Sequence, residues 1–160
     1  MSEWVDNYEH RVDPNRSPRA LELLELLEYE YIGMYGEPDP DPDGGLQRAY
    51  GAHGDTVLAL YRKKAVGIAG VVLEELNGRK VATLHRMFVI YPMRGRGIAS
   101  GLLRECEIGA KGLGAKALYL ETGVTQTSAI ALYRSHGYQP VDPFGFYADQ
   151  PTSIFLGKAL

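Results

Sequence analysis

Residues 89–103 read VIYPMRGRGIASGLL, and this stretch marks a change of local structure. An apolar run stops at Pro92, and an apolar pattern with helical spacing begins near Gly97. The first N–H groups of a helix lack intrahelical partners, and glycine lets an anion approach them closely. The helix dipole and the side chains of Arg94 and Arg96 add positive charge. The stretch therefore predicts a strand-to-helix turn that binds a phosphate.

Two familiar phosphate motifs do not match this stretch. The nucleotide P-loop ends in Gly-Lys followed by Ser or Thr, and that ending is missing here. The dinucleotide fingerprint GxGxxG starts correctly at Gly95 and Gly97, but Ser100 occupies its third glycine position. Two alternatives remain at this point: a different pyrophosphate cradle, or a tight structural turn with solvated arginines.

The pattern before the turn alternates between strand and helix. We predict a strand at 4–12, a helix with Ser17 as N-cap and Pro18 at its first position, and strands at 56–62, 65–73 and 80–91. In that helix, Leu21, Leu24, Leu27 and Tyr31 lie at helical spacing and predict an apolar face. Asn77-Gly78 predicts a hairpin, because a type I′ turn needs positive φ at both central residues.

The pattern after the turn completes the fold. We predict a helix at 96–112, a strand at 117–122, a helix ending at Gly137, and short strands at 138–141 and 153–156. This order of elements predicts a mixed α/β fold built around one sheet.

The composition is that of a globular protein. A length of 160 residues suits one domain over residues 1–160. Apolar residues make up 45% and charged residues 23%, which argues against disorder, and no apolar stretch reaches the roughly 18 residues of a membrane span. The first ten residues contain no basic region followed by an apolar block. We therefore expect a cytoplasmic protein without a membrane partner.

The net charge and the single cysteine exclude further classes of function. A net charge of −3 argues against a nucleic-acid partner, so the basic turn is expected to bind a small anion. Cys106 has no second cysteine to pair with, and its apolar helical surroundings favour a buried thiol over a reactive one.

The turn and a second block together resemble a known family. Arg94, Gly97 and Ala99 fill the pattern Q/R-x-x-G-x-G/A, the coenzyme A signature of the GNAT superfamily of N-acetyltransferases. The second block resembles the family's fifth strand and fourth helix, with its ending intact in Ala129, Ile130, Leu132, Tyr133, Gly137 and Tyr138. The resemblance is close over residues 56–141. It implies a mostly antiparallel central sheet, splayed between strands four and five and flanked by helices.

The resemblance also implies acetyl-CoA as co-substrate and no metal. The main-chain N–H groups of seven residues would hold the pyrophosphate, namely Arg94, Gly95, Arg96, Gly97, Ile98, Ala99 and Ser100. Main-chain groups of Met87, Phe88 and Val89 would pair with the pantetheine arm like an added strand. Gln126 stands where relatives often have asparagine, and its amide could bond the same arm.

Tyr133 matches the family's tyrosine that serves the leaving thiolate. With a reference pKa of about 10, against about 8.5 for a thiol, a tyrosine is neutral at pH 7, so it can hydrogen-bond the thiolate and supply its proton. The alternative is a purely structural ring between helix and sheet. By resemblance, the oxyanion donor is a main-chain N–H near Phe88 or Val89.

The general base departs from the family pattern. Many relatives carry glutamate early in the fourth strand, where this chain has Thr83. His85 lies two residues on, on the same strand face, and its reference pKa of about 6.5 suits a base. Glu121 is the second candidate, acting through water. The alternative that both residues are structural and that bulk water acts as the base remains open.

In this family the acceptor pocket is walled by the first helix, the loop after it and the last loop. In this chain those segments contain Tyr29, Tyr31, Tyr35, the acidic run Glu37–Asp43, Phe144, Phe146 and Tyr147. Aromatic and acidic side chains together suit a cationic amine. A tyrosine-lined core beneath a solvated acidic loop explains the same residues.

The resulting hypothesis is an acetyl-CoA-dependent N-acetyltransferase that transfers acetyl directly to a primary amine of a small molecule or peptide. The alternative is a non-catalytic acyl-CoA-binding module of the same fold, which the loss of glutamate at Thr83 keeps open and the intact Tyr133 disfavours. A homodimer is compatible with either.

Overall fold

The computed structural model describes residues 3–41 and 46–160. Its elements are β1 (Asn7–Glu9), α1 (Pro18–Tyr35), β2 (Gly54–Tyr61), β3 (Lys64–Leu76), β4 (Arg79–Val89), α2 (Ile98–Gly112), β5 (Ala117–Gly123), α3 (Thr127–Ser135), β6 (Gln139–Pro140) and β7 (Ser153–Ala159). Every predicted element is present in the predicted order. Of the acidic run Glu37–Asp43, residues 42 and 43 lie outside the described part.

The strands form one seven-stranded sheet in the order β1-β2-β3-β4-β5-β7-β6. Neighbouring strands are antiparallel, except that β4 and β5 are parallel. β4 pairs with β5 only at Ala82 with Leu118 and Thr83 with Tyr119. Beyond Thr83 the two strands separate, which confirms the mixed, mostly antiparallel sheet that splays between strands four and five.

A β-bulge lies in β4 just after the last pair with β5. Ile68 of β3 pairs with Phe88 of β4, whereas Gly70 pairs with His85. β4 therefore contains one residue more than β3 over this interval. Arg86 lies inside the bulge with φ of +55°, a left-handed conformation that is uncommon outside glycine. Because a bulge bends its strand and redirects side chains, it determines which β4 residues face the splay.

Two tight hairpins connect β2, β3 and β4. Asn77 and Gly78 have φ of +53° and +77°, so the predicted type I′ geometry is present. Arg62 and Lys63 adopt the same left-handed conformation between β2 and β3, without glycine or asparagine. The Asp6 carboxylate accepts a hydrogen bond from the Arg62 main-chain N–H at 2.6 Å and braces this turn.

α1 begins where the sequence predicts but buries a different face. Ser17 Oγ accepts a hydrogen bond from the Ala20 N–H at 3.2 Å, and Pro18 is the first helical residue. Ala20 and Leu23 are buried, whereas Leu21 is 44% exposed, so the predicted place of Leu21 in the apolar face is wrong. Leucines occupy more than one face of this helix, and spacing alone did not identify the buried one.

The sheet has a hydrophobic layer on each face, because alternate strand residues point in opposite directions. One layer packs Val57 and Ala59 of β2 with α2, and the other packs Leu58 of β2 with α1. Cys106 of α2 is completely buried, and burial raises the pKa of its thiol. The prediction of a buried thiol is therefore confirmed.

No helix within residues 3–41 and 46–160 combines the length and the apolar character needed to cross a bilayer.

Candidate active site

The splay between β4 and β5 opens a cleft of about 1360 Å³. Its walls include nearly all the residues selected from the sequence: His85, Met87, Phe88, Val89, Arg94, Gly95, Gly97, Ile98, Ala99, Ser100, Glu121, Gln126 and Tyr133. Arg96 is the exception and does not line the cleft. The fold thus brings two distant sequence blocks, around Gly97 and around Tyr133, to one cavity.

The glycine turn exposes main-chain donors at one end of this cleft. Gly95 and Gly97 have φ of +76° and +79°, and open space lies beside both residues. Gly97 is the N-cap of α2, and no side chain of the described residues caps this helix. The first N–H groups of α2 and the positive end of its dipole therefore face the cleft and fit a phosphate.

The two arginines of the turn differ from expectation. Arg94 Nε–H donates to the Val89 main-chain oxygen at 2.8 Å, and its Nη2 lies 2.6 Å from Glu30 Oε2. The Arg96 guanidinium lies 4.2 Å from the ring centroid of Trp4. These contacts brace the turn against β4, α1 and the N-terminal segment, so both guanidinium groups already have partners within the protein. Ser100 is also engaged, with its Oγ 2.6 Å from His136 Nε2 at the end of α3.

Tyr133 lies on α3 with its side chain almost entirely enclosed, at 6% exposure. Its ring contacts the ring of Tyr138 edge-on, at 6.0 Å between centroids. Tyr133 lines the cleft, and its hydroxyl makes no hydrogen bond to any described residue. Burial, together with the nearby Cys106 and Glu121, raises the pKa of Tyr133 above its usual value. The phenol therefore remains protonated and able to donate.

Glu121 lies on β5, opposite Phe155 of β7. Ser153 Oγ–H donates to its Oε2 at 2.6 Å. Burial raises the pKa of Glu121, the Ser153 hydrogen bond opposes this, and Asp39 and Asp41 raise it further. The carboxyl group is thus held in a region of negative potential and is more basic than an ordinary glutamate.

His85 shares its strand face with Thr83, as predicted, and the two side chains touch. Thr83 Oγ1 lies 2.7 Å from His85 Nε2 and 3.0 Å from Glu74 Oε2. Glu74 was not predicted from the sequence. The Asn77-Gly78 turn fixes the register of this hairpin and pairs Val72 with Thr83, so it could have placed Glu74, two residues along β3 from Val72, diagonally beside Thr83 on the same face.

An ion pair joins the β4 bulge to the loop after α1. Arg86 Nη1 lies 3.0 Å from Asp39 Oδ2, with the two side chains only 17% and 12% exposed. The Tyr147 hydroxyl donates to the other oxygen of Asp39. Burial and this bond to Asp39 raise the pKa of Tyr147. Arg86 was not predicted, since nothing in the sequence indicated the bulge.

The expected acceptor walls are mostly in place. Tyr31, Tyr35, Glu37, Asp39, Asp41, Phe144, Phe146 and Tyr147 line the cleft. Tyr29 does not, because it points to solvent with 79% exposure. Gln126 Nε2 donates to the Tyr35 hydroxyl at 3.2 Å, which ties the start of α3 to α1 across the cleft. Within the described ranges, no group of three or more His, Cys, Asp or Glu residues is arranged to hold a metal ion.

Comparison with known proteins places this architecture in a family. The sequence model of the Acetyltransferase (GNAT) family matches residues 20–138. The chain belongs to the GNAT acetyltransferase family.

Individual relatives agree with this assignment. An IAA acetyltransferase of Azospirillum brasilense is 40% identical over 95 residues, which are 59% of this chain and 61% of that protein. The chain therefore spans less than two thirds of that relative. A GNAT-family acetyltransferase from Staphylococcus aureus superposes with a TM-score of 0.73 at 20% identity, covering 96% of this chain and 99% of that one. A GNAT-family acetyltransferase from Elizabethkingia anophelis, solved with acetyl-CoA bound, gives 0.65 at 23% identity, covering 97% and 99%. These structural likenesses confirm the fold.

Proposed function

We propose that the protein is an acetyl-CoA-dependent N-acetyltransferase that acts on the primary amine of a small molecule or peptide. The observation that carries the proposal is the position of Tyr133, which lines the cleft between β4 and β5 and whose hydroxyl bonds no described residue. Residues 1–160 would act as one cytoplasmic domain. A homodimer is compatible with this proposal.

The cleft offers a binding path for coenzyme A. The main-chain N–H groups between Arg94 and Ser100 would hold the pyrophosphate at the start of α2. β5 leaves the edge of β4 after Thr83, so the main chain of Met87–Val89 is open to an extended ligand on that side. A pantetheine arm can add to such an edge as a further strand. Gln126 borders this path and would contact the same arm.

Acyl transfer then needs one bond to form and one to break. The neutral amine attacks the thioester carbonyl carbon, the C–N bond forms, and the C–S bond breaks. A main-chain N–H of Phe88 or Val89 would stabilise the oxyanion, and the departing thiolate takes its proton from the Tyr133 hydroxyl. Solvent returns that proton to the tyrosine. Both substrates are bound together, so no acetyl-enzyme forms.

Two groups are candidates to remove the proton from the acceptor nitrogen. His85 belongs to β4, whose next residues would hold the pantetheine arm, and its ring is held by Thr83. Glu121 lies on the facing β5 and has a raised pKa, as a base needs. We favour His85 because its ring is oriented by hydrogen bonding, with Glu121 acting through water as the alternative.

The charge of the cleft fits a protonated amine. Six described carboxyl-bearing residues line it: Glu30, Glu37, Asp39, Asp41, Glu74 and Glu121. Three arginines, Arg48, Arg86 and Arg94, oppose them, so the side-chain charge is negative. A cation is therefore drawn into the cleft. The tyrosine and phenylalanine rings of the same walls can stack on its apolar part.

Ligand binding and turnover test the proposal separately. Acetyl-CoA should raise the Tm, because a ligand that binds only the native state stabilises it, and ATP serves as a control for a general anion site. Thiol release is then followed with polyamines, amino acids, aminoglycosides and a basic peptide. An unchanged Tm contradicts the proposal. Stabilisation without thiol release from any amine supports the non-catalytic acyl-CoA-binding module instead.

A further inference from the structure

We infer that Glu74 is a positioning residue which, through Thr83, keeps His85 in the tautomer that carries its hydrogen on Nε2. The Nδ1 atom is then the nitrogen that takes the proton from the acceptor amine. The catalytic half of this inference depends on the proposed function. The tautomer half depends only on the fold and can be measured without any substrate.

The side chains of Glu74, Thr83 and His85 form a continuous row of hydrogen bonds across the β3–β4 hairpin. Thr83 is 1% exposed, and its hydroxyl oxygen lies between Glu74 Oε2 at 3.0 Å and His85 Nε2 at 2.7 Å. Glu74 belongs to β3, and the other two residues belong to β4. The neighbouring strand β3 thus places a carboxylate beside Thr83 of β4.

Counting protons fixes the direction of these hydrogen bonds. A threonine hydroxyl has one proton to donate, and the Glu74 carboxylate can only accept. The Val72 main-chain oxygen, 3.5 Å from the same hydroxyl, is also only an acceptor. Whichever oxygen receives the Thr83 proton, the hydroxyl must accept from His85, so Nε2 carries the hydrogen. With the opposite tautomer, the 3.0 Å contact between Thr83 and Glu74 would lack a proton.

Glu74 is itself held in place by an arginine. Arg48 Nη1 lies 3.0 Å from its Oε1, so each carboxylate oxygen has one partner. Arg48 also compensates the charge of the carboxylate at the cleft wall. This arrangement leaves Glu74 oriented towards Thr83.

The hydrogen bonds from His85 through Thr83 to Glu74 also serve the transfer step. When the acceptor ammonium gives a proton to Nδ1, His85 becomes an imidazolium with hydrogens on both nitrogens. The neutral amine then forms the C–N bond. Glu74 stabilises the imidazolium through the intervening hydroxyl, and His85 returns the proton to solvent after the product leaves. Histidine orientation by a hydrogen-bonded partner is a general requirement for a base of this kind.

Nitrogen-15 NMR of the imidazole rings measures the tautomer directly. The chain has four histidines, and the His85 signals are those lost in His85→Gln. At a pH where this ring is neutral, the wild-type protein should show hydrogen on Nε2. Thr83→Val, which removes the hydroxyl at nearly constant shape, and Glu74→Gln should both give a mixture of tautomers. Thr83→Ser keeps the hydroxyl and should restore the wild-type spectrum.

Glu75→Gln is the matched control. Glu75 lies on β3 next to Glu74 and is exposed, and its substitution removes the same charge. It should leave the spectrum and the activity unchanged. A wild-type ring with its hydrogen on Nδ1, or a tautomer unaffected by Thr83→Val and Glu74→Gln, overturns the inference.

Kinetics test the catalytic half with the same variants. Thr83→Val and Glu74→Gln should lower kcat about tenfold and leave the KM for acetyl-CoA unchanged, the pattern of a group that orients a base. If the tautomer changes but kcat does not, His85 is not the base. If the wild-type protein neither binds nor uses acetyl-CoA, the proposed function fails, and the spectra still decide the tautomer.

Discussion

The guanidinium of Arg86 and the carboxylate of Asp39 form an enclosed ion pair, 3.0 Å from Nη1 to Oδ2. The pair connects the left-handed bulge residue of β4 to the loop after α1, which lines the cleft. Tyr147 from the last loop donates to the same carboxylate. Three segments far apart in the sequence are therefore held together at one residue.

Replacing Asp39 with Asn should loosen all three segments. Arg86 loses its counter-charge in a site that water reaches poorly, and we expect a loss of about 1–3 kcal/mol in the free energy of unfolding. Denaturant unfolding measures this loss. The amine KM should rise more than the KM for acetyl-CoA, since the altered loop borders the acceptor end. The double variant Asp39→Asn/Arg86→Gln removes both charges and should recover part of the stability; equal losses in single and double variants would count against a charge effect.

Removing the Tyr133 hydroxyl should affect turnover without affecting folding. Tyr133→Phe deletes a group that bonds no described residue, so its Tm should stay within a degree or two of the wild type. Loss of the proton donor should lower kcat about 100-fold with little change in the affinity for acetyl-CoA. Steady-state thiol release and a thermal shift with acetyl-CoA measure the two effects. Tyr50→Phe, at an exposed position, is the control; an active Tyr133→Phe enzyme assigns the proton to another donor.

The sequence predicted those parts of the site that local chemistry determines. Gly97 signals its left-handed φ by being glycine, and Tyr133 was selected by its match to the motif of the family that the second block resembles. Arg86 adopts the same kind of left-handed backbone conformation, but an arginine gives no signal of it, so the bulge could not be predicted. The packing of the Arg96 side chain on Trp4 was not predicted for a different reason. Its guanidinium packs on Trp4, and a contact across 92 positions depends on the whole fold rather than on the turn.

The cradle glycines allow a controlled test of cofactor binding. Gly97 has φ of +79°, so Gly97→Ala strains the backbone by about 1–2 kcal/mol and disturbs the start of α2. The KM for acetyl-CoA should rise at least tenfold. Gly114 follows α2, has φ of +90°, and lies outside the cleft, so Gly114→Ala carries a similar strain without touching the cradle. Equal KM values in the two variants would show that strain alone explains the loss.

Far from the cleft, His10 and Asp55 predict a pH dependence of stability. His10 Nδ1 lies 2.6 Å from Asp55 Oδ2, and the Arg11 main-chain N–H donates to Oδ1 at 2.7 Å. The bond to Asp55 raises the pKa of His10, although burial opposes this, and Glu105 at 3.7 Å acts in the same direction as Asp55. Burial alone would raise the pKa of Asp55, but the bonds from His10 and Arg11 lower it overall.

The signs of these two pKa shifts define the pH range in which the pair stabilises the fold. The raised pKa of His10 contributes stability below its unfolded value of about 6.5, and that contribution is lost as the pH rises through the folded value. The lowered pKa of Asp55 contributes stability above its unfolded value of about 3.9, lost as the pH falls through the folded value. The stability that His10→Gln removes should therefore be largest between about pH 4 and 6.5 and should shrink towards pH 8.

Tm measured across this range for the wild type and His10→Gln shows the difference. His53→Gln, at an exposed histidine, should give a curve parallel to the wild type, and the same parallel curve for His10→Gln would exclude the pair as the source.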